Sequence, residues 1–320
     1  RGFGSLGGFV NGVLRNIGRS LSDISYPSEE DMLYSFSVRY SVPEWILGQW
    51  LAEYGKETVR AMAEEFLKEK PVTVRFHPDR ISREELLHIL KAEGVSVKED
   101  TEMPCALHLS GIDYLMKLDS FQKGYYQVQD VSSMQVAQWA APEKGSYIID
   151  VCAAPGGKAI HLAEMLRGTG HVEARDLTEY KIGMIRENIL RSGMTNIEAV
   201  QMDARLRDEA SIGKADIVIA DLPCSGLGVL GRKPDLKYKM TQDTQRELVK
   251  LQREILSVSA EYVKQGGKLI YSTCTIHKEE NEDNAAWFAR QFPEFHLQRE
   301  RQTLPGRDSG DGFYIAKFLR

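Results

Sequence analysis

Three cysteines stand where a nucleophile would be useful. Cys152 closes the run Tyr147-Ile148-Ile149-Asp150-Val151, Cys224 comes just after Asp216-Ile217-Val218-Ile219-Ala220-Asp221, and Cys274 follows Lys268-Leu269-Ile270-Tyr271-Ser272-Thr273. Each run is short and rich in β-branched residues, so each reads as a strand that ends beside its cysteine. In an open parallel α/β sheet, ligands bind in the crevice beyond the carboxyl ends of the strands. The three thiols are therefore expected to converge on one crevice. A thiol attacks as its thiolate, which a nearby cation or helix N-terminus favours. The fourth cysteine, Cys105, lies far from the others, and no two have the paired spacing of a zinc knuckle or a redox dithiol, so no metal is expected.

The turn after the first of these strands, Cys152-Ala153-Ala154-Pro155-Gly156-Gly157-Lys158, is built of small residues that let backbone approach a ligand at a helix N-terminus. It lacks the Gly-x-Gly-x-x-Gly of a dinucleotide loop, and Cys152 and Ala159 occupy positions where a P-loop needs Gly and Ser or Thr. Asp176, Asp203 and Asp221 end the next three strands. Three carboxylates around one crevice suit a ligand with ribose hydroxyls, an exocyclic amine and positive charge, and S-adenosylmethionine has all three. Lys158 opens a helix, where the macrodipole disfavours a cation, so it is expected to meet an anion, either Asp221 or the ligand.

The elements that must position these groups alternate. Strands are predicted near 146–151, 171–175, 197–201, 215–220 and 267–272, with helices near 157–167, 178–192, 243–264 and 278–291. That pattern predicts an α/β fold with a mostly parallel sheet. Phe295-His296-Leu297 and Phe313-Tyr314-Ile315-Ala316-Lys317-Phe318 are separated only by a turn-rich loop and predict an antiparallel edge. Residues 23–65 read as helical, with an apolar face at Trp45, Ile46, Leu47, Trp50 and Leu51 after Pro43. Residues 66–123 read as a small α+β module, with Val72–Phe76 as a strand, a helix near 82–93 and strand-like residues near 104–118. The catalytic domain is placed at 124–320.

Composition bounds the rest. The chain has 320 residues, 42% apolar and 27% charged, with a net charge of −5, which excludes a disordered or fibrous chain. Its longest apolar runs fall far short of the roughly 20 residues of a membrane span, no signal peptide is recognisable, and the cytoplasm is the expected compartment. Arg1 stands where an initiator Met is usual, so the sequence reads as a fragment or a processed form.

The turn at 152–158, Asp221-Leu222-Pro223-Cys224-Ser225-Gly226-Leu227-Gly228 and Ser272-Thr273-Cys274-Thr275 together resemble the signature of the Sun family of RNA 5-methylcytosine methyltransferases. The resemblance extends through Gln129–Met134, Arg232–Lys237 and Asp311-Gly312-Phe313-Tyr314, and so spans nearly all of 124–320. It implies a Rossmann-like class I methyltransferase core. Upstream, Phe9–Ile17 resembles the last helix of a NusB-like RNA-binding domain, making residues 1–22 a remnant of one. That combination points to members that methylate a cytosine of 16S small-subunit rRNA. Ala159, Val131, Leu222 and Gly231 depart from the family's usual Thr, Glu or Pro, Ala and Arg; none of the four removes a reacting group, though Leu222 is bulkier beside the site.

Carbon 5 of cytosine is a poor nucleophile and must be activated by a thiolate adding to carbon 6. Cys224 and Cys274 both sit at strand ends, and position alone does not choose between them. The resemblance assigns attack to Cys274, release to Cys224, and contact with the cytosine edge to Asp221 beside Lys158. It places the cofactor S-adenosylmethionine on Cys152, Ala153, Ala154, Pro155, Gly156, Gly157, Lys158, Asp176, Asp203 and Asp221. RNA is the expected partner, with Arg232, Lys233, Lys237 and Lys239, and Arg1, Arg15 and Arg19, as candidate phosphate contacts and Tyr125 and Tyr126 as residues that stack on bases or fill the core. A tRNA cytosine methyltransferase, a catalytically silent RNA-binding assembly factor and a nicotinamide-dependent dehydrogenase are the competing readings; the missing third glycine counts against the last.

Overall fold

The computed structural model describes residues 4–28 and 30–320, so Arg1 lies outside the described residues. The chain divides into two compact units, one ending at Arg60 and the other spanning Ala61–Arg320. In the first, helix Met32–Tyr40 packs on helix Glu44–Tyr54. Asp31 starts the former by accepting a hydrogen bond from the Tyr34 N–H at 3.1 Å, and Pro43 precedes the latter, as its fixed φ favours. Phe36, Ile46, Leu47 and Trp50 are buried. Helix Gly7–Arg19 buries no residue and leaves Phe9 and Leu14 in solvent.

The second unit contains two sheets. Strands β1 (Val72–Phe76), β2 (Ser96–Glu99), β3 (Ala106–Ser110) and β4 (Tyr126–Val128) form an antiparallel sheet in the order β2-β3-β1-β4. Helix Arg83–Ala92, capped by Ser82, covers it with Leu86 and Leu90. The larger sheet comprises β5 (Tyr147–Asp150), β6 (His171–Asp176), β7 (Ile197–Gln201), β8 (Ala215–Asp221), β9 (Val263–Thr273), β10 (His296–Thr303) and β11 (Phe313–Leu319), in the order β10-β11-β9-β8-β5-β6-β7. The five strands from β9 to β7 are parallel, and β11 and β10 run antiparallel along one edge, as the sequence predicts.

Alternation along the strands makes the two cores. Ile148, Ile217, Ile219 and Ile270 pack on one face, Ile149, Val218, Ala220 and Leu269 on the other, and all are at most 1% exposed. A strand buried on both faces must read as a continuous apolar run, which is why these were legible. Helix Val131–Ala140 was not anticipated: Val131, Met134, Val136, Ala137, Trp139 and Ala140 are all buried, so no polar stripe marks it as helical. β4 has only three residues and β2 is polar and exposed, which hid both.

A buried ion pair joins the two sheets. Arg75 of β1 donates to Glu164 of helix Gly157–Met165 and, through Nε, to Gln129 Oε1 at 2.9 Å; His77 Nδ1 lies 2.5 Å from the same Glu164 oxygen. Burial pushes the Glu164 pKa up, but the His77 hydrogen bond and the Arg75 charge outweigh it and hold the carboxyl below its usual range. Its ionised form is the acceptor, so His77 carries the proton on Nδ1. A lowered acid pKa contributes stability that is complete above the unfolded value of about 4.3 and is lost as pH falls through the folded value. Glu164→Ala leaves Arg75 buried without its counter-charge. It is expected to cost about 3 kcal/mol in urea unfolding at pH 7, with a smaller difference below pH 4.

Candidate active site

The chain order of the parallel strands reverses between β5 and β8, and a cleft of about 350 Å³ opens at their carboxyl ends. Asp150, Ala153, Ala154, Pro155, Gly157, Lys158, Asp221 and Cys274 line it, together with Lys233, Arg232, Asp311 and Phe313 from later segments and Thr73, Gln129 and Asp130 from the smaller sheet's side. A second cavity of about 220 Å³ lies beyond the same strand ends, between Cys152, Asp176, Asp203 and Pro223.

Register explains the centre of the cleft. Asp221 ends β8 directly opposite Ser272 of β9, and Ser272 Oγ donates to Asp221 Oδ1 at 2.7 Å. Lys158, in the first turn of its helix, donates to Asp221 Oδ2, also at 2.7 Å. The anion that the helix-opening lysine requires is therefore Asp221. Burial alone would lower the Lys158 pKa, but the charges of Asp221 and Asp150 raise it, and its ammonium also lies 5.5 Å from the Phe313 ring centroid. Gly156 precedes this helix with φ of +105°, a conformation that glycine adopts without strain.

Cys224 Sγ and Cys274 Sγ approach to 3.3 Å, both partly exposed and neither in a disulfide. The contact is asymmetric in its surroundings. Cys274 is lowered in pKa because the Cys224 thiol donates to it and because Lys158 and Lys233 are near, against the opposing effects of burial and Asp221. Cys224 is raised because it shares a hydrogen bond with Cys274, its surroundings are poorly solvated, and the Cys274 and Glu280 charges oppose its ionisation. Of the two thiols, Cys274 is the more acidic.

Both cysteine loops hang from Glu280, which is fully buried. It accepts from Ser225 N at 2.9 Å, Ser225 Oγ at 2.5 Å and Gln252 Nε2 at 2.9 Å, while Ser225 Oγ and Thr275 Oγ1 lie 2.7 Å apart. Nothing in the sequence marks Glu280, which reads as an ordinary acid near the start of a helix. Asp150 is likewise silent in the sequence. It is fully buried and, among the described residues, neither of its oxygens has a hydrogen-bond partner; burial first, then the Asp221 charge, pushes its pKa up to about 8.

The remaining expected residues distribute as follows. Cys152 and Asp203 border the second cavity, and burial raises the Cys152 thiol far above its usual range. Asp176 is held by Ala154 N at 3.0 Å, Leu177 N at 2.8 Å and Lys181 Nζ at 2.9 Å, and Asp203 by Arg205. Of the basic segment, Lys233 reaches the cleft, Arg232 is spent on Asp130 and Asp311, Lys239 pairs with Asp235, and Lys237 is buried. Tyr126 is core, while Tyr125 borders a surface groove.

The chain is similar to known proteins. The 16S rRNA methyltransferase RsmB/F family matches residues 137–319, and the ferredoxin-like domain of RsmF/B-like methyltransferases matches 42–112. A probable ribosomal RNA small subunit methyltransferase B of Bacillus subtilis (strain 168) is 36% identical over all of this chain and 75% of its own length. The ribosomal RNA small subunit methyltransferase B of Klebsiella pneumoniae (strain 342) is 32% identical over 98% of this chain and 73% of its own. A crystal structure of a methyltransferase homolog protein from Pyrococcus horikoshii superposes with a TM-score of 0.78 at 25% identity, covering 90% of this chain and 99% of that one.

The orphaned carboxyl of Asp150 generates a test. Raised above its unfolded value of about 3.9, it binds a proton in the folded state that the unfolded chain has released, so the ligand-free protein loses stability as pH rises from about 4 to 8. Asp150→Asn is expected to raise the ligand-free melting temperature at pH 8 and to flatten its decline between pH 5 and 8, measured by calorimetry. An unchanged pH slope contradicts this account of Asp150.

Proposed function

The chain belongs to the 16S rRNA methyltransferase RsmB/F family, and from that premise we propose that it methylates carbon 5 of a cytosine in 16S small-subunit rRNA through a covalent cysteine–cytosine intermediate. The observation that carries the proposal is the unbonded pair Cys224 and Cys274 at 3.3 Å, with the lowered thiol facing Lys158 and Lys233.

The residues present suit S-adenosylmethionine. Asp176 and Asp203 border a cavity that suits the nucleoside, with the 152–157 turn beside it, and the unpartnered Asp150 oxygens would receive a cationic group. When bound, the cofactor would supply an electrophilic methyl group at the cleft, its sulfonium leaving as a neutral thioether that keeps the bonding pair. The chain's residues do the rest. Cys274 attacks carbon 6, forming an S–C bond as the carbon 5–carbon 6 π pair moves toward carbon 5. That pair takes the methyl group. Loss of the carbon 5 proton to a base then restores the double bond and expels the Cys274 thiolate, with Cys224 assisting release. Asp221, its carboxylate fixed from both sides by Lys158 and Ser272, addresses the cytosine edge while charge builds on the ring. A base enters such a cleft only after leaving its stack, so a loop or an opened helix is the form of RNA that fits. An rRNA substrate also agrees with a cytoplasmic location.

Radiolabelled methyl transfer to 16S rRNA and to tRNA, with the modified base mapped, tests the proposal. Label at carbon 5 of a cytosine in 16S rRNA is the expected result; label in tRNA alone makes this a tRNA enzyme, and none in either favours a silent assembly factor. Cys274→Ala is expected to abolish transfer, at least 10³-fold, as the loss of a covalent nucleophile does. Cys224→Ala should accumulate a protein–RNA adduct on a denaturing gel, and adduct in the Cys274 variant instead would reverse the two roles.

A further inference from the structure

Each of the two facing cysteines is flanked by residues that are held on both sides. Before Cys224, the Pro223 carbonyl accepts from Gln252 Nε2 at 2.8 Å; after it, Ser225 donates to Glu280 through N at 2.9 Å and through Oγ at 2.5 Å. Gln252 Nε2 also donates to Glu280 at 2.9 Å, so one carboxylate ties the two sides of this loop together. Before Cys274, Thr273 Oγ1 donates to Asn281 Oδ1 at 2.5 Å; after it, the Thr275 carbonyl accepts from Asn281 Nδ2 at 3.0 Å. Two residues adjacent in sequence thus each hold one cysteine loop, and Ser225 Oγ and Thr275 Oγ1, 2.7 Å apart, join the loops to each other.

Asn281 forgoes the role that its place in the fold offers. It precedes helix Glu282–Gln291 and starts it through its backbone, the Ala285 N–H donating to its carbonyl at 2.9 Å. An asparagine there ordinarily caps the helix with its side-chain oxygen. Here no such bond forms: the oxygen is turned to Thr273, and the amide reaches Thr275 and Gln302 Oε1, the latter at 2.7 Å. Asn281 and Glu280 are both fully buried, and the Glu280 carbonyl accepts from the Tyr271 hydroxyl of β9. With the neighbours of a cysteine held on both sides, its thiol keeps chiefly its own χ1 rotation.

We propose that Glu280 and Asn281 are positioning residues for the two halves of the reaction: Asn281 places Cys274 for attack, and Glu280 places Cys224 for release. This rests on the division of roles between the two sulfurs proposed above. Neither residue needs to touch the RNA. Each fixes the backbone from which one sulfur projects, and together they set the 3.3 Å contact between the thiols.

Glu280→Gln, which sets an amide donor against Ser225 or Gln252, and Asn281→Leu, which keeps the volume and removes every side-chain hydrogen bond, test the two halves separately. With 16S rRNA and S-adenosylmethionine, Glu280→Gln is expected to accumulate the protein–RNA adduct on a denaturing gel, as Cys224→Ala does. Asn281→Leu is expected to lower kcat by about 10²-fold with KM for RNA unchanged and no adduct accumulating, because its defect precedes bond formation. The same gel pattern in both variants, the reverse pattern, or wild-type turnover in either overturns the proposal. Should either fail to fold by circular dichroism, Ser225→Ala and Thr273→Val stand in for them, with the same two patterns expected and the same results overturning it. A second measurement needs no RNA. Phenylarsine oxide bonds through its arsenic to two thiols at once, releasing one water, and the wild-type protein should bind it through Cys224 and Cys274. Each variant should bind it roughly tenfold or more weakly, as a two-point attachment does when its points move apart; unchanged affinity in both overturns the proposal. If Cys224→Ala itself traps no RNA, the covalent reading has failed, and the arsenical affinities alone decide whether Glu280 and Asn281 set the thiol contact.

Discussion

Two sulfur atoms in contact, not bonded to each other, and unequal in acidity are the feature on which the rest of the second unit depends. A sulfur pair has no reason to differ unless its surroundings do, and here they differ by design of the backbone. Cys274 is under the influence of the Lys158 and Lys233 charges, while Cys224 is opposed by the buried carboxylate of Glu280. Glu280 serves both loops at once: it fixes the Pro-Cys segment through Ser225, which in turn meets Thr275 of the Thr-Cys segment. A hydrogen-bonded network of this kind, closed off from water, resists small displacements that would open the contact.

Electrostatics extend outward from that pair in alternating signs. Lys158 and Ser272 hold Asp221 from its two sides, and the buried Asp150 nearby has no hydrogen-bond partner among the described residues. Burying a carboxyl without a partner costs free energy unless it stays protonated or meets a cation. The raised pKa of Asp150 is the ligand-free protein's answer, and a positively charged cofactor would be the other. On the far side of the helix that begins at Gly157, Glu164 joins Arg75 and His77, so this helix is anchored to β1 as well as to the large sheet.

Much of this was legible because the sheet is buried on both faces. Runs such as Ile217-Val218-Ile219-Ala220 have one structural use, and their ends locate the cysteines and aspartates. The turn at 152–158 and the segments at 221–228 and 272–275 then carried the family resemblance. What the sequence concealed are residues whose meaning depends on distant partners. Glu280 and Arg232 look like surface charges until the fold supplies Ser225, Gln252, Asp130 and Asp311. Helix Val131–Ala140 escaped because seven of its ten residues are buried, which weakens the period by which helices are read. Tyr125 and Tyr126 are neighbours with different fates, and only the pairing of Tyr126 with Phe76 puts the latter ring in the core.

The most direct measurement uses RNA carrying 5-fluorocytidine at the target, where fluorine takes the place of the proton that must leave. With cofactor present, the wild-type protein should be caught on its substrate, and tryptic mapping should find the methylated nucleotide linked to the peptide containing Cys274. A link to the Cys224 peptide instead, or methylation with no protein attached, would contradict the division of labour between the two sulfurs.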